Sequence, residues 1–195
     1  GDLMLQLGSS LYMIGVCPKL VSDKRVWPGG FLIPGCNCIQ GGTNAAGTLT
    51  KWYRNEVFAD YFLDEENGGE NAFARMAQEA AKIPAGSEGL IQLPYIAGER
   101  TPVNDPAARG VLFGLTLRHT RSHMYRAALE AIGYSIRQHL DIFAENGIAF
   151  HRIYAVGGGT KSPDWMQMIA DITNCEICRA DVSVGASFGD ALMAA

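Results

Sequence analysis

The sequence predicts an α/β fold in which helices pack on a mixed sheet, and three features of its pattern point there. Short apolar runs open the chain, one long stretch carries apolar residues at steps of three and four, and the last third alternates strand-like with helix-like segments around a triple-glycine turn. Residues 3–7 and 11–16 are apolar runs parted by Gly8-Ser9-Ser10, which reads as a hairpin, and residues 31–33 read as a third strand. From Thr43 the spacing turns helical, with Leu49, Trp52, Tyr53, Val57 and Tyr61 in step, until Asn67-Gly68-Gly69 breaks the chain. A second helix is expected over 70–82, closed by Pro84, and a strand over 90–93 ahead of a loop at 94–106. Between about 119 and 146, Tyr125, Ala128, Leu129, Ile132, Ile136, Leu140 and Phe143 form one apolar stripe, stopped by Asn146-Gly147. A strand over 152–156, a glycine turn, a helix from Ser162, a strand over 176–179 and a last helix from about Gly185 complete the order.

Composition narrows the functional classes. The 195 residues, 48% hydrophobic and 18% charged, suffice for one well-buried core. Sixteen basic against 20 acidic residues leave a net charge of -4 without a Lys/Arg-rich run, so nucleic acid is not an expected partner. No window reaches the roughly 18 apolar residues that a membrane span needs, and the N-terminus lacks the marks of an export signal. The expected setting is the cytoplasm, which the odd number of cysteines also suits. Cys36-x-Cys38 and Cys175-x-x-Cys178 invite a zinc reading, but the second pair reads as a strand, whose alternation would turn the thiols to opposite faces. His119 and His123 are spaced to share a helix face, yet no third ligand accompanies them, and they are expected to be solvated. No metal site is assigned.

Three glycine-bearing turns are candidate anion sites. Gly8-Ser9-Ser10 could aim backbone N–H groups and two hydroxyls at one point, or simply close a hairpin. Gly157-Gly158-Gly159-Thr160-Lys161-Ser162-Pro163 joins a strand to a helix, with Ser162 as N-cap and Pro163 at the first helical position. Glycines there serve either ligand approach or tight packing, and the spacing matches neither a Walker A loop nor Gly-x-Gly-x-x-Gly. The third combines Gly41-Gly42 with Gly47 at a helix start and Lys51 four residues on. Arg126 and Glu130 are read as an i,i+4 ion pair worth a few tenths of a kcal/mol. Asp105, Asp141 and Asp171 have no visible partner, and none is assigned as a general base.

Longer motifs bring a resemblance. Gly110-Val111-Leu112-Phe113-Gly114-Leu115, followed after seven residues by His123-Met124-Tyr125-Arg126-Ala127-Ala128-Leu129-Glu130, resembles the C-terminal signature of the FGGY carbohydrate kinases. Pro94-Tyr95-Ile96-Ala97-Gly98-Glu99-Arg100-Thr101-Pro102 resembles the loop before that signature, and Gly157 through Gln167 the family's adenosine motif. Leu7-Gly8-Ser9-Ser10 is similar to its second phosphate motif, with Ser9 where threonine is commoner, and Gly47-Thr48-Leu49-Thr50-Lys51-Trp52 to the helix start that reaches the nucleotide. Gly185-Ala186-Ser187-Phe188-Gly189-Asp190-Ala191 resembles the following glycine-rich helix.

The resemblance implies a ribonuclease-H-like fold, the ATPase fold of actin, hexokinase and Hsp70. Residues 1–195 would form one C-terminal, ATP-binding domain, with an N-terminal sugar-binding domain outside this chain. ATP and Mg²⁺ would lie between the two, with Gly8 and Ser9 at the terminal phosphates, Gly47 and Lys51 near the phosphates, and Gly158, Gly159 and Ser162 at the adenosine. The catalytic base is expected upstream, since Asp2 lies too close to the phosphate turn to be it, so no catalytic residue is assigned here. The chain, which starts in a strand and stops in a helix pattern, is expected to be a piece of such an enzyme and inactive alone. The local flavour of the adenosine motif is similar to xylulose kinases, and the implied substrate is a small sugar or polyol, a pentulose foremost. The resemblance also admits a homodimer. An inactive nucleotide- or sugar-binding sensor on the same scaffold is the alternative, and a pure interaction module a third.

Overall fold

The computed structural model describes residues 1–179 and 186–194. A sheet of order β3-β4-β2-β1-β7-β8 forms the centre, from β1 (Asp2–Leu7), β2 (Leu11–Cys17), β3 (Trp27–Gly30), β4 (Asn37–Thr43), β7 (Arg152–Val156) and β8 (Glu176–Arg179). β1 pairs antiparallel with β2 and parallel with β7, so it is the strand at which the meander becomes a βαβ unit. The predicted mixed sheet is therefore present. Strict alternation explains β1: Leu3, Leu5 and Leu7 are buried while Asp2 and Gln6 are exposed. α4 (Arg121–Glu145) and α5 (Pro163–Thr173) pack on the leucine face, and the predicted stripe from Tyr125 to Phe143 is wholly buried there. α6 (Ala186–Ala194) follows; Gly185, the expected start of that helix, lies outside the described residues.

Small residues set the close approaches. A Cβ added to Gly15 would stand 2.1 Å from the Phe150 ring, and one added to Gly133 would stand 2.6 Å from Ile172 Cδ1, where α4 crosses α5. The Trp165 indole N–H then donates to Leu129 O at 3.1 Å, a buried bond tying the two helices together.

Several local expectations are corrected. The third strand is β3 at Trp27–Gly30; residues 31–33 lie in its turn to β4, with Leu32 and Ile33 exposed. The apolar run misled because Pro28 and two glycines form the edge strand, a position proline tolerates. The helix expected from Thr43 begins at Gly47, since β4 runs through Gly41 and Gly42 to Thr43. It comprises α1 (Gly47–Trp52), one π-turn closed by Phe58 N–H on Tyr53 O, and α2 (Ala59–Glu66). α3 (Ala72–Ala81) starts on the Asn71 cap, and β5 (Ile91–Leu93) pairs with β6 (Val111–Phe113) in a separate two-stranded sheet. His119 and His123 are not the solvated pair expected: α4 starts after His119, and His123 is buried, its Nδ1 accepting from Thr120 N–H at 3.1 Å to cap the helix.

Arg126 and Glu130 do pair, at 2.7 Å, but as a buried cluster and not a surface contact. Glu130 also accepts from Gly86 N–H at 3.0 Å and from the Ser87 hydroxyl at 2.9 Å, so it anchors the turn before β5. Removing one partner of such a cluster typically costs about 3–5 kcal/mol, ten times the exposed-helix figure.

Two consequences are measurable. Gly15→Ala should destabilise the chain by about 1–3 kcal/mol through overpacking, and Phe150→Ala by about 3–5 kcal/mol; the double variant should lose less than the sum in urea unfolding. His139 is fully buried, its ring lying between Ser135 O and Thr101 Oγ1, and burial holds its pKa below the usual 6.5. Below about pH 6.5 the unfolded chain binds a proton that the folded chain excludes, so the urea midpoint should fall on acidification through that range. His139→Gln should flatten that part of the slope.

Candidate functional site

Three turns converge at the end of β1. The carbonyls of Gly8 and Ser9 face the start of α1: Gly8 O accepts from Gly47 N–H at 2.9 Å, and Ser9 O from Ala46 N–H at 3.0 Å and Thr48 N–H at 2.9 Å. These are the unpaired donors of a helix N-terminus, satisfied here by a neighbouring turn. A Cβ on Gly47 would lie 2.6 Å from Gly8 O, so glycine is what lets the helix touch the hairpin. Gly41 and Gly42 do not belong to this group: Gly41 packs on His139, and Gly42 N–H donates to Thr101 Oγ1 at 2.8 Å, within β4.

The triple glycine divides its labour. Gly157, at φ 100°, occupies a conformation side chains rarely adopt, and a Cβ there would be 2.6 Å from Leu7 O. Gly159 packs equally tightly, with a Cβ position 2.4 Å from Leu7 Cδ2 and 3.0 Å from the Trp165 ring. A Cβ at Gly158 meets nothing within 4 Å. Tight packing thus accounts for the outer two glycines and leaves the middle one open. Ser162 caps α5 as expected, accepting from Trp165 N–H at 3.4 Å, with Pro163 at the first helical position.

Between these turns lies a cavity of about 840 Å³, within the usual range for a small-molecule site. Gly8, Ser9, Gly47, Lys51, Gly158, Gly159 and Ser162 all line it. The structure adds a wall from α3, made of Asn71, Phe73, Ala74, Ala77 and Gln78, and a floor of Tyr125, Leu129 and Trp165. Ala74 and Ala77 add small apolar side chains to a lining that also holds the open Gly158. Nothing in the spacing of 71–78 announces this role, which depends on where α3 docks; Lys161 and Asp164, inside a motif already singled out, were nearer to hand. Lys51 and Lys161 against Asp164 give the lining a positive balance. Neither lysine has a carboxylate within 4.0 Å among the described residues.

The earlier carboxylate candidates lie elsewhere. Asp105 accepts from Ala107 N–H, Asp141 pairs with Arg137, and Asp171 accepts from Gln167. Among the described residues no three His, Cys, Asp or Glu side chains cluster as metal ligands. No helix among them is long and apolar enough to cross a membrane.

With that geometry in place, comparison with known proteins is informative. Residues 3–195 match the model of the FGGY family of carbohydrate kinases, C-terminal domain. A xylulose kinase of Lactococcus lactis is 36% identical over 194 residues, covering 98% of this chain and 37% of that protein. Among solved structures, xylulose kinase from Rhodospirillum rubrum superposes with a TM-score of 0.81 at 33% identity, covering 100% of this chain and 38% of the other. A ligand-bound xylulose kinase from Lactobacillus acidophilus superposes at 0.85 with 27% identity, covering 99% and 38%. The chain thus spans little more than a third of the length of these relatives.

The glycines separate by stability. Gly47→Ala should cost about 1–3 kcal/mol by forcing α1 off the hairpin, whereas Gly158→Ala should stay within about 0.5 kcal/mol of the parent in thermal unfolding.

Proposed function

We propose, since the chain belongs to the FGGY family of carbohydrate kinases, that it forms the C-terminal, nucleotide-binding domain of a cytoplasmic enzyme that transfers a phosphoryl group from ATP to a hydroxyl of a small sugar. A pentulose such as xylulose is the substrate that the relatives favour. The observation that carries the reading is the convergence on one cavity of about 840 Å³ of Gly8, Ser9, Gly47, Lys51, Gly158, Gly159 and Ser162, the residues assigned to the nucleotide.

Each wall has a task in this reading. Ser9 and Lys51 stand at the phosphate end, the hydroxyl and ammonium offering donors to phosphate oxygens. Gly158 and Gly159 let the nucleoside approach the backbone, and the alanines of α3 cover the other side of the base. Phosphoryl transfer asks for positioning and charge neutralisation more than covalent chemistry, and backbone turns with two lysines, unpaired among the described residues, would supply both. Mg²⁺ would travel on the phosphates, as it commonly does, because Asp164 is the one carboxylate of the lining and no protein cage is present among the described residues. The base that deprotonates the sugar hydroxyl, and most of the sugar site, would come from an N-terminal domain, in keeping with the fraction of the relatives' length spanned here. Closure of the two domains would exclude water from the transfer.

Titration calorimetry tests this directly. The chain should bind ATP; Gly158→Ala, whose methyl projects into the cavity, and Lys51→Met should each weaken binding about tenfold or more with unchanged melting. Sugar-dependent ATP turnover should need the N-terminal portion. Robust turnover by this chain alone, or parental ATP affinity in both variants, would refute the assignment.

A further inference from the structure

The loop between β5 and β6 reaches back to the cavity's phosphate end without lining it. Arg100 Nη2 donates to two backbone carbonyls from different segments, Thr43 O at 2.7 Å and Leu11 O at 3.2 Å. Leu11 stands two residues past Ser9, and Thr43 four before Gly47, so one guanidinium spans the bases of both turns that meet at Gly8. Its neighbours reinforce the grip. The buried Glu99 carboxylate accepts from Asn44 N–H at 3.1 Å and Arg100 N–H at 2.7 Å, and Thr101 Oγ1 accepts from Gly42 N–H at 2.8 Å. The guanidinium also lies over the Trp27 ring, 5.5 Å from its centroid.

Two features separate this from ordinary loop packing. Among the described residues Arg100 has no carboxylate partner within 4.0 Å and its buried Nε–H has no acceptor. A buried orphan donor is unfavourable, so a side chain placed only for stability would settle where its fork is satisfied. Here one terminal nitrogen, Nη2, serves both carbonyls and Nε–H is left unpaired. A lysine would fall short of both carbonyls, because its ammonium nitrogen ends one bond nearer the backbone than Nη2.

We propose that Arg100 is a positioning residue for the phosphate end of the cavity: it holds the Gly8-Ser9 turn and the turn leading to Gly47 at a fixed separation, and thereby governs affinity for the polyphosphate but not for the nucleoside. The inference rests on the nucleotide reading of the cavity. Its measurable signature is a split between ligands, because Gly158, Gly159 and the α3 wall are reached by none of these bonds.

The test uses the full chain with ATP and, separately, adenosine as titrants, comparing the parent with Arg100→Lys and Arg100→Ala. ATP affinity should fall about tenfold or more in Arg100→Lys, with adenosine affinity within about twofold of the parent. Hydrogen exchange should quicken in peptides covering 8–11 and 43–48 and stay unchanged over 163–173. Should Arg100→Ala fail to fold, Arg100→Lys with the exchange measurement carries the test. Equal loss of ATP and adenosine binding, or parental ATP affinity in Arg100→Lys, would overturn the positioning role alone. No binding of either titrant by the parent would overturn the nucleotide reading and this inference with it.

Discussion

The contact on which the candidate site depends is between two pieces of backbone. Gly8 and Ser9 turn their carbonyls onto the N–H groups of Ala46, Gly47 and Thr48, so the end of the central strand and the start of α1 satisfy each other's hydrogen bonds. The same strand end receives Gly157 and Gly159, both pressed against Leu7. Segments some 40 and 150 residues away from Leu7 in sequence are thus referred to one point. Side chains contribute little to that geometry, which is why glycine recurs in it, and why a methyl group at one glycine is disruptive while at its neighbour it meets open space.

Around this backbone contact runs a buried polar layer. Glu99, Arg100 and Thr101 bond the last residues of β4 and the first of β2, and His139 on α4 closes the network from below. The tautomer follows from the partners: Ser135 O takes the Nδ1 proton, leaving Nε2 to accept from the Thr101 hydroxyl. Burial keeps the Glu99 carboxyl above its ordinary range despite the adjacent Arg100, and keeps His139 below its own. Such groups are costly to bury unbonded, and apart from the Arg100 Nε–H these are bonded, so they favour one arrangement of loop against sheet. The surface pairs, such as Arg137 with Asp141, are exposed on both sides and contribute little by comparison.

The resulting cavity combines two lysines and the backbone of three turns with apolar lining from α3, Tyr125, Leu129 and Trp165, in an α/β domain of the FGGY family of carbohydrate kinases. In the proposed function the phosphates lie toward Ser9 and Lys51 and the ring toward Gly158 and α3. In the same reading the sugar and its base fall to the part of the relatives' length that this chain does not span.

The sequence by itself determined the elements whose physical signal is local. The Tyr125 to Phe143 stripe, the alternation of β1, the Ser162-Pro163 cap and the glycine motifs are each written within a few residues, where side-chain period and backbone freedom act directly. Tertiary structure decided whatever depends on partners far along the chain. β4 runs on as a strand through Gly41 and Gly42 because these fit beneath His139 and against Leu11, although glycine is a poor strand former. Arg126 and Glu130 are buried because the 86–87 turn docks on them, and α3 faces the cavity because of how it packs on α4. Only packing brings Gly8, Gly47 and Gly158 to one cavity, since hydrogen bonds between distant backbones leave no periodic trace in the residues that make them.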